Sequence, residues 1–172
     1  MAFDGRLHVA DAVHRELLNQ KHGTPKIESF FHLPRYWSPE GLLDRDELQT
    51  VLDLQRDWEA KHGLSYDARY NLGEAESIVV CLRRRNAAAG WTFVTNDHDA
   101  TVSARLLKVH TVNPFSVVAL FVHQGYLDPM EAWRGYQSMV HTHGMKGYLW
   151  LSAEPPGQKA FLERLSSVRA NA

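Results

Sequence analysis

Apolar and polar residues first alternate from Arg6 to Val9, which predicts a short strand. The period then lengthens. Val13, Glu16 and Leu17 follow the i, i+3, i+4 spacing of one helix face. Asp11 can cap that helix, which runs to about Gln20. Residues 23 to 39 break the pattern with Pro25, Pro34 and Pro39 among Phe30, Phe31, Tyr36 and Trp37, and predict an irregular or partly helical insertion. From Pro39 to His62 the apolar positions Leu42, Leu43, Leu48, Val51, Leu52, Leu54 and Trp58 alternate with charges as in a helix, which Gly63 ends. A helix after Gly73 puts Glu74, Ile78, Cys81 and Leu82 on one face and turns Glu76 away from it. A strand at Trp91 to Val94, a helix at Ala100 to Lys108, a strand at Val109 to Val112 and a helix at Pro114 to Tyr126 follow. Another helix starts at Asp128-Pro129, with proline in the first turn. A strand at Tyr148 to Leu151 and a helix at about Gly157 to Val168 complete the chain.

Helices alternating with short strands predict an α/β fold around a mostly parallel sheet. The 172 residues suffice for one domain with a real core. Such sheets bind ligands beyond the carboxyl ends of their strands, and Asp97 sits at such an end.

Charge changes the picture little. Nineteen basic and 20 acidic residues nearly cancel, so any nucleic-acid contact has to come from a local patch. The lone cysteine, Cys81, excludes an intramolecular disulfide and suits a reducing cytoplasm. No N-terminal run reads as a signal peptide, and the longest apolar run, Phe115 to Val122, is too short to span a bilayer. A soluble, cytoplasmic protein is expected.

Three acids stand out. Glu16 shares a helix face with apolar residues, Glu74 opens a helix on its apolar side, and Asp97 ends a strand within Thr95-Asn96-Asp97-His98-Asp99. Inward-facing carboxylates are costly unless paired or bound to a cation. Oxygen-only donors at strand ends suit Mg²⁺ or Mn²⁺, which can activate water for phosphodiester hydrolysis. Each acid also has a structural reading: Glu74 favours the helix dipole, Asp97 or Asp99 caps the next helix, and Glu16 pairs with Arg15. The run Arg83-Arg84-Arg85 can contact RNA phosphates, although such a run more often ends a solvated helix. His98 is close enough to Asp97 to tune that site, although surface decoration is the commoner role, and Trp133 and Tyr136 read as packing. His141 and His143 fall on different helix faces and offer no zinc motif.

The blocks "HVADAVHREL", "LGEAESIVVCLRRR" and "WTFVTNDHDATVSARL", with the segment down to Leu127, resemble in order the blocks of PIN-domain proteins, the VapC-type toxin nucleases and their relatives. Val13 to Leu17 is similar to the family's Val-x-x-Glu-Leu signature, Gly73 to Glu76 to its Gly-Glu-x-Glu, and Thr95 to Asp97 to its Thr-x-Asp. The resemblance covers about residues 6 to 140 of a single domain, leaving 144 to 172 as a C-terminal extension. It implies a PIN-like three-layer fold and a ribonuclease dependent on Mg²⁺ or Mn²⁺. Glu16, Glu74 and Asp97 would be its catalytic acids, and Asp99 a further metal ligand. Thr95, Asn96 and Glu76 would support the site, and Arg83, Arg84 and Arg85 would bind RNA. It implies RNA as substrate, an antitoxin protein as partner if the chain is a toxin, and a homodimer.

The chain departs from the family in one place. The acid that ends the family's first strand usually precedes the Val-x-x-Glu block by a strand, a helix and a turn, and no such unit fits before Arg6. The first strand and its Asp are therefore expected to lie upstream of Met1, or the strand to be replaced by Tyr148 to Leu151 or by a neighbouring chain. The alternative function is a degenerate, non-catalytic PIN-like module that binds protein or RNA. A phospho-receiver domain fits less well, because its acidic pair and acceptor Asp do not occur in the right order.

Overall fold

A computed structural model of the chain describes residues 7–20, 37–63, 71–84, 90–143 and 157–167. These form β1 (Leu7–Ala10), α1 (Asp11–Gln20), β2 (Trp37–Glu40), α2 (Arg45–His62), α3 (Leu72–Arg84), β3 (Thr92–Val94), α4 (His98–Leu106), β4 (His110–Val112), α5 (Pro114–His123), α6 (Pro129–His143) and α7 (Gln158–Ser167). The protein is thus a mixture of helix and strand, with β1 and β2 paired in parallel and β3 paired with β4. The expected strand at Tyr148 to Leu151 lies outside the described residues.

Two compact units divide the chain, residues 1–93 with 102–110, and residues 94–101 with 111–172. In the first unit, β1 and β2 run in register from Leu7↔Trp37 to Ala10↔Glu40. The expectation of an irregular segment through residue 39 fails here. Trp37–Glu40 is a strand despite Pro39, because each strand of a two-stranded sheet is an edge, where a missing N–H is tolerated.

Local capping sets the ends of α2. The Asp44 carboxylate accepts from the Glu47 amide at 2.9 Å, and the Glu47 carboxylate accepts from the Leu43 amide at 2.7 Å. Gly63 stops the helix at φ 64°, a left-handed conformation that glycine adopts without cost. Val51, Leu54 and Trp58 face inward, and the Trp58 indole N–H donates to Ser103 Oγ at 2.8 Å. α3 packs against α1, α2 and β1, so Ala75, Ile78, Val79, Val80 and Cys81 are all buried rather than one narrow stripe.

In the second unit, α5 begins at Pro114 behind Asn113, whose side chain accepts from the Ser116 amide at 2.7 Å. α6 begins at Pro129, behind Asp128, whose carboxylate accepts from the Met130 amide at 2.8 Å. Phe115, Ala119, Ala132, Tyr136, Phe161 and Leu165 form this unit's core. Phe115 and Phe161 meet edge to face, with centroids 5.5 Å apart. Trp133, at 5.3 Å from Phe161, has the packing role expected of it.

Candidate active site at the carboxyl end of β1

β1 passes into α1 without a loop, so the first amides of α1 need acceptors that a preceding Ser, Thr or Asn would ordinarily supply. Ala10, the last residue of β1, has none to offer. Glu76 supplies one from another helix: its Oε2 accepts from the Ala12 amide at 3.1 Å. Glu76 is only 3% exposed. Burial pushes its pKa above the usual carboxylate range, and the neighbouring Asp11 charge pushes the same way. The Ala12 amide, the Arg15 charge and the Asp11 amide oppose the rise without cancelling it.

The sequence pattern placed Glu76 on the outer face of its helix, and the structure reverses this. α3 is covered on several sides, so no single stripe marks its inward face. Glu74, which the pattern turned inward, is half-buried in the first turn of α3. Glu16 lies on α1, and its side chain is outside the described residues.

Asp11 is the residue that sequence reasoning passed over as a helix cap. It is instead the first residue of α1, directly beyond the carboxyl end of β1. Its Oδ2 meets Arg15 Nε at 3.3 Å, and both side chains are largely in water. β2 ends alongside: a Cβ built on Gly41 would touch the Asp11 Cβ at 4.0 Å. β1 is the strand expected from Arg6 to Val9. It is paired, and it leads straight into an aspartate. The signal was there in Val9-Ala10-Asp11, but an aspartate that ends a strand and one that caps a helix look alike in sequence.

Around this edge a network of charges fixes β2. Arg83 Nε and Nη2 reach the Glu47 carboxylate at 2.9 and 2.7 Å, and Nη2 also donates to the Gly41 carbonyl at 2.7 Å. Glu40 lies 3.6 Å from Arg83 Nη1 and 3.1 Å from His8 Nδ1. The Arg83 guanidinium holds Glu47 below its ordinary pKa. Of the three arginines expected to meet RNA, Arg83 is thus engaged within the chain. Arg84 is exposed, 5.4 Å from the centroid of the Trp91 ring, and Arg85 is outside the described residues.

Asp97 belongs to the second unit, and its geometry there is that of a cap. Its Oδ1 accepts from the Ala100 amide at 2.7 Å, its carbonyl accepts from Thr101 Oγ1 at 2.6 Å, and its own amide donates to Thr95 Oγ1 at 3.1 Å. Thr95 is buried, and its hydroxyl oxygen accepts that Asp97 amide. Asn96 is exposed, and Asp99 is half-buried in the first turn of α4.

Asp11 and Glu76 are oxygen donors of the kind a hard divalent ion takes, although Asp11 is already paired with Arg15 and Glu76 Oε2 with the Ala12 amide. Mg²⁺ is commonly held by one or two carboxylates, with water and phosphate completing its shell. Among the described residues no three His, Cys, Asp or Glu side chains are grouped to hold a metal, so this fit rests on two acids rather than three. Among the described residues, too, no helix is long and apolar enough to cross a membrane. Comparison of the chain with protein families, with curated proteins and with solved structures finds no match in any of the three.

Proposed function

We propose that the protein is a ribonuclease of the PIN and VapC kind, dependent on Mg²⁺ or Mn²⁺, in which Asp11 and Glu76 are the principal metal ligands. One observation carries the reading. Glu76 is a buried carboxylate, raised in pKa, beside the carboxylate of Asp11 and beyond the carboxyl end of a parallel strand pair. Burial disfavours the ionised form of Glu76, and the Asp11 charge adds to that. A divalent ion resolves that conflict, and carboxyl ends are where sheets of this kind bind ligands.

The resemblance adds Glu16 and Glu74 as further acids, and a three-layer fold around the sheet; the Asp97 and Asp99 it also names lie in the second unit. Asp11 takes the place of the family's first-strand acid. The bound ion would supply Lewis acidity for phosphodiester hydrolysis. Within the chain, the Ala12 amide orients the Glu76 carboxylate, and burial keeps water from competing for it. If the chain is a toxin, its protein partner would be an antitoxin.

The test is cleavage of a mixed single-stranded RNA with Mn²⁺, with Mg²⁺ and with EDTA. Cleavage that needs the ion, and that disappears in Asp11→Asn and Glu76→Gln, supports the reading. Metal-independent cleavage, or activity that survives both substitutions, refutes it.

A second reading, a non-catalytic module that binds RNA or protein, is favoured by the Arg15–Asp11 pair, since a cation already stands beside Asp11 within the chain. RNA retention without cleavage in the same experiment would select it.

A further inference from the structure

Arg15 lies one helical turn after Asp11, on the same side of α1. Its Nε stands 3.3 Å from Asp11 Oδ2 and 3.4 Å from the Asp11 carbonyl oxygen. The pairing is unusual in where it falls. Asp11 is the more exposed of the two acids at the end of β1, and Glu76 is the buried one. A cation arriving from solvent therefore meets Asp11 with the guanidinium already on it.

We propose that Arg15 is a tethered cation that competes with the divalent ion for Asp11, and so sets the metal concentration at which the site fills. This rests on the reading of Asp11 and Glu76 as metal ligands. The Arg15 charge also favours ionised Glu76, so a single side chain partly neutralises both acids in the metal-free protein.

The geometry lets the two cations exchange. The Arg15 side chain is 62% exposed, so it can swing into water without leaving an unpaired buried charge. Glu76 stays in place meanwhile, held by the Ala12 amide, and the Asp11 carboxylate that Arg15 leaves is open to solvent. Binding of a divalent ion and pairing by Arg15 then oppose each other, and the coupling is reciprocal.

The test is a calorimetric Mn²⁺ titration of the full chain as wild type, Arg15→Gln, Arg15→Lys and Asp11→Asn. Each is also melted with and without Mn²⁺, and circular dichroism checks that each is folded. Arg15→Gln should bind Mn²⁺ about twofold more tightly than wild type, the size expected for release of one exposed i,i+4 ion pair. Arg15→Lys, which keeps the charge but loses the planar fork, should fall between them. Metal-free Arg15→Gln should melt below wild type, and saturating Mn²⁺ should narrow the gap. Equal or weaker Mn²⁺ binding by folded Arg15→Gln, with wild type still binding, overturns the competition alone. Absence of Mn²⁺ binding by every variant overturns the metal reading and this inference with it.

Discussion

Replacing Glu76 separates two roles that its carboxylate combines. It accepts the Ala12 amide at the start of α1, and it carries a charge that burial opposes. Glu76→Ala removes both. Losing the acceptor costs about 1 kcal/mol, as at other helix starts. Deleting a side chain that is only 3% exposed adds a cavity, so the total loss should be about 2–3 kcal/mol. Glu76→Gln keeps an acceptor of the same shape and removes the charge.

The sign follows from the raised pKa. Folded Glu76 holds its proton more tightly than unfolded Glu76, so its contribution to stability is greatest at low pH and declines as pH rises through its titration. Without metal, Glu76→Gln should therefore match wild type near pH 4 and become progressively the more stable of the two toward pH 8. Urea denaturation at several pH values in EDTA measures this difference directly. If Glu76→Gln instead loses as much stability as Glu76→Ala at pH 8, the helix amides outweigh burial. The carboxylate would then be a structural cap rather than a group awaiting a cation.

Three further outcomes are expected. Arg83→Met should cost about 2 kcal/mol by urea denaturation, because it leaves Glu47 and the Gly41 carbonyl without their largely buried partner, and a double-mutant cycle with Glu47→Gln should show the two coupled. Asp97→Ala should cost about 1 kcal/mol by the same measurement, as the loss of the Ala100 cap requires, whereas Asp97→Asn, which keeps an acceptor, should cost less. Cys81 is buried and its thiol is pushed up to about 11, so alkylation at pH 8 should be slow in the native protein and fast in denaturant.

What was legible in the sequence was mostly local. Gly63, Pro114 and Pro129 mark helix ends by backbone chemistry that needs no tertiary partner, and α2, α5 and α6 stop or start there. β2 was hidden because a four-residue strand containing Pro39 is stabilised by pairing with β1, far away in sequence. That also moved the start of α2, which the pattern put at Pro39 and the Asp44 cap puts at Arg45. Asp97 was recognisable both as a cap and as a site acid, and its described contacts are those of the cap. Glu76 was misplaced because an inward face can be inferred from spacing only when the rest of the helix meets water, and α3 is enclosed. Asp11 was visible but ambiguous, since only the pairing of β1 and the approach of Glu76 give its position a chemical meaning.

The most direct measurement of the central claim is Mn²⁺ affinity in wild type, Asp11→Asn, Glu76→Gln and a surface control, Asp53→Asn. Wild type and the control should bind one ion alike, and each site substitution should weaken binding at least about tenfold while the protein stays folded. Saturable binding left unchanged by both site substitutions, or no saturable binding by wild type, would contradict it.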